Sequence, residues 1–191
     1  MQSKRIFIAI DISDSARAAC AAHISLLQEN FPRVRVGWER PEKLHLTLKF
    51  LGNISDGILK DLGAGISETA SHHARFKLQL STPGVFTSKS RPRILWIGLD
   101  DTSGIPSLHS EIEDICHRSG FEREKRTFRP HLTIARIKES QKAIALADAH
   151  MRTKIEPVGF EVAEIVIYES KLQPSGSIYS VVSTAKLQAA I

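Results

Sequence analysis

Two tetrapeptides hold the side chains best suited to chemistry: His45-Leu46-Thr47-Leu48 and His131-Leu132-Thr133-Ile134. An imidazole titrates near pH 6.5, so around neutrality it both accepts and releases protons. A hydroxyl two residues further on can donate a hydrogen bond to negative charge as it develops. One such pair is an ordinary feature of a strand surface; two in one chain ask for a common purpose. Imidazoles on opposite flanks of a phosphorus atom could take a proton from water and give one to a departing oxygen. The pair of motifs therefore points to proton transfer at a phosphate.

These side chains cooperate only if they share a face. Residues two apart in a strand do so. His45 and Thr47 then look one way and Leu46 and Leu48 the other, and the second copy repeats the arrangement. Each motif is predicted as a strand with an apolar back against a core. Around them the sequence predicts strands at 5–10, 44–51, 75–80, 94–99, 131–137, 160–168 and 178–186, with a short extended piece at 36–40. Helices are predicted at 15–30, 55–73, 101–119 and 140–151, the first capped from 11–14 and the third stopped by Gly120. Pro83-Gly84 reads as a turn, 87–93 as a basic loop with Lys89, Arg91 and Arg93, and Gln173-Pro174-Ser175-Gly176 as a hairpin turn. The chain divides near 85–92 into halves with one motif each. No linker of a dozen residues separates them, so residues 1–191 read as one compact α+β unit of two lobes.

The chain has 191 residues, 42% of them hydrophobic and 25% charged, enough apolar material for a full core. Its formal net charge of +5 suits a polyanionic partner without requiring one. Cys20 and Cys116 form no Cys-x-x-Cys, which excludes a zinc ribbon or thioredoxin-type site and reads as two reduced thiols of a cytoplasmic protein. The apolar run 6–10 is too short for a signal peptide, and nothing approaches the length of a membrane span.

The motifs in their settings resemble the two-histidine phosphoesterase superfamily, and within it the RNA 2′,3′-cyclic phosphodiesterases, historically called 2′-5′ RNA ligases. The resemblance is carried by Arg5-Ile6-Phe7-Ile8-Ala9-Ile10, the run from Pro41 through His45 and Thr47 to Gly52, and Pro92-Arg93-Ile94-Leu95-Trp96. It continues through Phe128-Arg129-Pro130-His131-Leu132-Thr133-Ile134-Ala135-Arg136 and Tyr168-Glu169-Ser170. It implies an α+β bilobal, duplicated fold. Two antiparallel sheets with outer helices would be related by a pseudo-twofold axis around a central cleft. It also implies metal-free and cofactor-free hydrolysis of 2′,3′-cyclic phosphate ends of RNA or nucleotides to a 2′-phosphomonoester; a monomer is the default expectation, since the sequence carries no sign of oligomeric state. The family pattern makes His45 the proton donor to the leaving O3′ and His131 the base that activates water; the two motifs alone do not distinguish these roles. Thr47 and Thr133 would bind the phosphate. Lys49 stands where relatives often carry Arg.

Other basic side chains are candidates for phosphate contacts: Arg129 and Arg136 foremost, then Arg126 and the basic loop. Arg129 has an equally good structural use, pairing with Glu169. Among Phe7, Trp38, Phe50 and Trp96 one could stack on a base, although core packing is the commoner use of each. The remaining histidines converge on no ligand set, and neither motif has a carboxylate at metal-ligand spacing. Two other readings stay open: a genuine 2′-5′ RNA ligase, and a nucleotide- or RNA-binding module that keeps the pocket without turnover.

Overall fold

Strand β1 (Ser3–Asp11) sets the architecture because both of its faces are buried. Ile6, Ile8 and Ile10 enter the main core, while Phe7 packs on the opposite face against His45, Phe50, Tyr168 and Tyr179. A strand buried on two sides belongs in the middle of a sheet. The computed structural model describes residues 3–101, 104–139, 143–174 and 176–189. Parts of three expected elements lie outside these residues: 102–103 of the third helix, 140–142 of the fourth, and Ser175 of the hairpin turn.

The described chain continues as helix α1 (Asp14–Asn30), β2 (Val36–Trp38), a 3-10 turn (Pro41–Lys43), β3 (His45–Ser55), α2 (Asp56–His72), β4 (Phe76–Ser88) and β5 (Arg91–Asp101). Then come α3 (Ile105–Arg118), β6 (His131–Ile137), α4 (Ile144–Arg152), β7 (Gly159–Val162), β8 (Glu164–Lys171) and β9 (Ile178–Lys186). Ser13 caps α1, its Oγ accepting from Ala16 N–H at 3.2 Å. α3 buries Ile105, Leu108, Ile112 and Ile115 on one stripe, as the spacing predicts.

The strands form one antiparallel sheet in the order β7-β4-β5-β6-β3-β1-β8-β9, with β2 beside β6. The motif strands β3 and β6 are therefore central neighbours. The two expected sheets are joined, through the pair Leu46–Leu132. Both leucines are fully buried in the cluster that also takes the apolar stripes of the helices. Register shifts within the β1–β3, β4–β5, β5–β6 and β8–β9 pairs add twist and curl to the sheet.

The structure departs from the sequence reading in three ways. The predicted strand 160–168 is two strands, β7 at one edge of the sheet and β8 one strand in from the other edge. Its period was continuous, but the chain breaks at Ala163, whose carbonyl accepts from Leu187 N–H. β4 runs through Pro83-Gly84, which sits at a bulge instead of a turn. Finally, 87–93 is largely hairpin, closed by Lys89 and Ser90 at φ 48° and 60°, so the supposed boundary at 85–92 lies inside one half. β8 and β9 return to the half begun by β1, so neither half is a continuous stretch of sequence.

Candidate active site

β3 and β6 present their motifs in the same way. From His45 to Leu51 exposure runs half-buried, buried, half-buried, buried, buried, exposed, buried; from His131 to Ile137 it is identical. The cause is a bulge at the same place in each. β1 pairs Ala9 with Thr47 and Ile8 with Lys49, leaving Leu48 unopposed. β5 pairs Trp96 with Thr133 and Leu95 with Ala135, leaving Ile134 unopposed. One extra residue flips the alternation beyond it. Two successive residues thus enter the core. The next residue on the face of the histidine and threonine is Phe50 in β3 and Arg136 in β6.

The Leu46–Leu132 pair fixes how the motifs meet. Continuing its antiparallel register sets His45 across from Thr133, and Thr47 across from His131. The imidazoles stand on the diagonal, where a regular ladder separates residues by about 7–8 Å. Because the leucines share the core face, the two histidines and two threonines share the other. The sequence-predicted quartet is brought together.

Each imidazole is held alike. Nδ1 of His45 is 2.7 Å from the Lys43 carbonyl, and Nδ1 of His131 is 2.6 Å from the Arg129 carbonyl. A carbonyl only accepts, so Nδ1 donates in both, and Nε2 is left to gain or lose a proton. Aromatic rings wall both. Phe7, Tyr179 and Tyr168 lie 4.9, 5.5 and 6.3 Å from His45, centroid to centroid. Phe86 and Trp96 lie 4.9 and 5.8 Å from His131. Burial pushes the pKa of both histidines below the usual imidazole value, with the backbone carbonyls opposing.

The charges around them differ. Asp11 lies opposite His45 in the β1–β3 register, and both its oxygens are in hydrogen-bond reach of the Tyr168 hydroxyl, at 2.9 and 2.8 Å. Asp11 and Glu39 favour the His45 cation, whereas among the described residues no carboxylate acts so on His131. Arg136 disfavours the cation at both histidines, as a charge near each must. Its Nε is 3.5 Å from Glu39 Oε1. Opposite Thr47 stands Ala9, and opposite Thr133 stands Trp96.

The other candidates separate. Arg129 is exposed and has no ion-pair partner among the described residues; Glu169 is 3.8 Å from Lys171 instead. Arg126 is spent on Glu124 in its own loop. Lys49 is not in the cleft: the bulge turns it inward, where Nζ lies 2.8 Å from both Glu113 Oε2 and the Glu122 carbonyl. Of the four stacking candidates, Phe7 is buried, Trp38 packs against the core and Trp96 lies across Gly84, whereas Phe50 is 59% exposed. Phe50 also lines a cavity of about 420 Å³ with Lys49, Phe121 and the loop from Glu122 to Lys125. Sequence reasoning gave no part in the site to Asp11, read only among the helix-capping residues 11–14, nor to Glu39, Phe86 or Tyr179. Only tertiary register brings them to the motifs. Tyr168 alone carried a signal, standing in one of the segments that bear the resemblance.

A curled antiparallel sheet whose central strands present two mirrored His-x-Thr motifs defines a two-histidine protein of α+β fold. The sequence profile of the 2′-5′ RNA ligase superfamily matches residues 13–173, and the chain belongs to that superfamily. Similar curated proteins include the RNA 2′,3′-cyclic phosphodiesterase of Methanocaldococcus jannaschii, 32% identical over 93% of this chain and 98% of the relative. That of Methanothermobacter thermautotrophicus is 28% identical over 92% and 95%. The fold is shared with TT0787 of Thermus thermophilus, at TM-score 0.77, 24% identity and coverage of 97% and 98%. It is shared too with E. coli LigT complexed with 3′-AMP, at TM-score 0.76, 24% identity and coverage of 97% and 99%.

Proposed function

We propose that this chain is an RNA 2′,3′-cyclic phosphodiesterase that opens terminal cyclic phosphates to a 2′-phosphomonoester. The observation that carries this reading is the mirrored pinning of His45 and His131 through Nδ1, which leaves two Nε2 atoms for proton transfer on one face. Neutral Nε2 of His131 takes a proton from the attacking water. Protonated Nε2 of His45 gives one to the departing O3′. The assignment is supported by Asp11 and Glu39, which favour the cation at His45 and have no counterpart at His131 among the described residues. Thr47 and Thr133 donate to the non-bridging oxygens, and Arg136 adds positive charge where the phosphorane-like state gathers negative charge. Acid, base and electrostatic stabilisation are then all supplied by side chains, so the reaction is read as metal-free and cofactor-free.

The substrate side of the reading is as follows. Phe50 stacks on the terminal base, being the exposed ring on the motif face. Arg129 and the hairpin residues Lys89, Arg91 and Arg93 are exposed and unpaired among the described residues, which suits them to backbone phosphates. The identical bulges and exposure patterns of β3 and β6 support a pseudo-twofold duplication. Residues 1–191 act as a single domain, a cytoplasmic monomer.

The test is incubation with a 2′,3′-cyclic nucleotide in EDTA, with the position of the product phosphate determined. Turnover to the 2′-phosphate is expected, with a loss of at least about a hundredfold in His45→Ala and in His131→Ala. Activity within a few-fold of wild type in either variant would falsify the scheme. Saturable binding without product would make the protein a binding module, and faster joining of RNA ends than hydrolysis would make it a ligase.

A further inference from the structure

Behind the second motif lies a buried pair of histidines that the proposed reaction does not use. His150 on α4 is fully buried, and His23 on α1 is nearly so. His23 Nε2 is 2.9 Å from His150 Nδ1, and His150 Nε2 is 3.1 Å from the Gly84 carbonyl and 3.0 Å from the Trp96 carbonyl. The carbonyls determine every proton. They only accept, so His150 Nε2 carries hydrogen and donates to both. In the neutral ring Nδ1 must then accept, so His23 Nε2 carries hydrogen and donates to it. Burial holds both rings below the ordinary imidazole range, His23 at about 4, which keeps the chain of donors neutral at physiological pH.

What this chain grips is the wall of His131. Gly84 and Trp96 are partners in the β4–β5 ladder. The indole lies so close over Gly84 that a Cβ there would come within 2.0 Å of the ring. The same indole packs on Phe86 and His131, and Trp96 is the ladder partner of Thr133. The first motif is braced differently. Its position opposite Thr47 is Ala9, and the guanidinium of Arg17 on α1 donates to the Pro41, Leu44 and Ile12 carbonyls around His45. One helix thus supports both motifs, through Arg17 on one side and His23 on the other.

We infer that His150, fixed in one tautomer by His23, is a positioning residue for the second motif: it clamps the Gly84 and Trp96 backbone so that the indole and Thr133 hold His131 at the phosphate. The inference rests on the function proposed above for His131. Two measurements separate their failures. Long-range ¹⁵N NMR of the wild-type histidines is expected to find hydrogen on Nε2 of both His23 and His150; hydrogen on Nδ1 of His150 overturns the clamp whatever the activity. Kinetics on a 2′,3′-cyclic nucleotide then read its consequence. His150→Leu is expected to lower kcat by about ten- to a hundredfold with little change in KM, and to move the His131 titration. His150→Gln, which restores an N–H donor, is expected to recover most of the loss. Should His150→Leu fail to fold, His23→Leu and His23→Gln decide: the first lowers kcat, and the second, still a donor to His150 Nδ1, stays near wild type. Folded variants with wild-type kcat and an unmoved His131 titration overturn the inference. A wild-type protein inert toward cyclic nucleotides defeats the proposed function, while the NMR titration of His131 still tests the clamp.

Discussion

At the scale of the residue, the two motifs are copies in sequence and in backbone, and their difference comes from neighbours that no local pattern announces. His45 faces Asp11 across a strand pair, where His131 faces Gly98. With His45 in its proposed role as acid, Asp11 helps keep it protonated. Asp11→Asn removes a charge that favours the His45 cation, so the pKa of His45 falls. The acid must be protonated to work, so the alkaline limb of the kcat/KM profile moves to lower pH while the acid limb, set by His131, stays. A displaced acid limb with a fixed alkaline limb would reverse the two roles. That the histidines and threonines share a face was legible, because a spacing of two is itself a statement about a face. The inward position of Lys49 was not legible, for a related reason. The alternation that should have put it in line with the motif is broken by the bulge at Leu48, which periodicity does not reveal. Its Nζ instead lies 2.8 Å from Glu113 Oε2, both side chains below a tenth exposed. Removing one member of a buried pair leaves the other charge stranded, at a cost of roughly 3–5 kcal/mol. Lys49→Met is therefore expected to lower the urea midpoint sharply, and Lys49→Met with Glu113→Leu to recover part of it. If the single variant is as stable as wild type, Lys49 is not confined to this pair.

At the scale of the element, strands and helices with a clear period were legible, and segments that change direction were not. α2 and α3 follow their apolar stripes to within a few residues of expectation. Residues 160–168 misled because β-branched and apolar residues continue through Ala163, although the chain leaves one half of the sheet for the other there. Pro83-Gly84 misled because a turn signal and a bulge have the same composition. Glycine substitutions separate the two uses of small size. Gly84 lies under the Trp96 indole, so Gly84→Ala must push the ring away and is expected to cost about 1–3 kcal/mol. Because the same ring packs on His131, activity should fall with stability. Gly63 lies within α2 with nothing near its missing Cβ. Gly63→Ala should instead raise stability by about 0.5–1 kcal/mol through helix propensity, with activity unchanged. Thermal melts of the two variants check both signs, and a Gly84→Ala protein as stable as wild type would show that the stack is not tightly packed.

At the scale of the whole molecule, the histidines that folding perturbs bear in one direction on stability, while the buried thiols of Cys20 and Cys116, pushed up to about 11, act only on the alkaline side. Burial holds His23, His45, His109, His131 and His150 all below the imidazole norm. A histidine depressed in the folded state binds its proton less readily there than in the unfolded chain. Between the folded and unfolded pKa the unfolded chain therefore carries more protons, and stability rises with pH. Full stability is present above about pH 6.5 and is lost as the pH falls toward the folded values. His23, at about 4 against 6.5, accounts by itself for roughly 3 kcal/mol across that window. Glu124, held at about 2 by Arg126, acts the same way but at lower pH, since a depressed carboxyl stabilises above its unfolded pKa and ceases to as the pH falls. The unfolding free energy should thus hold steady from pH 8 to 7 and decline between pH 6.5 and 4. His23→Gln should flatten that decline, because the substituted side chain binds no proton in either state. Urea titrations at pH 7.5, 6 and 5 on both proteins measure it. Equal midpoints across the three pH values in the wild type would mean that the buried imidazoles protonate as freely inside the fold as outside it, and the packing around both histidine pairs would then be looser than the contacts described here.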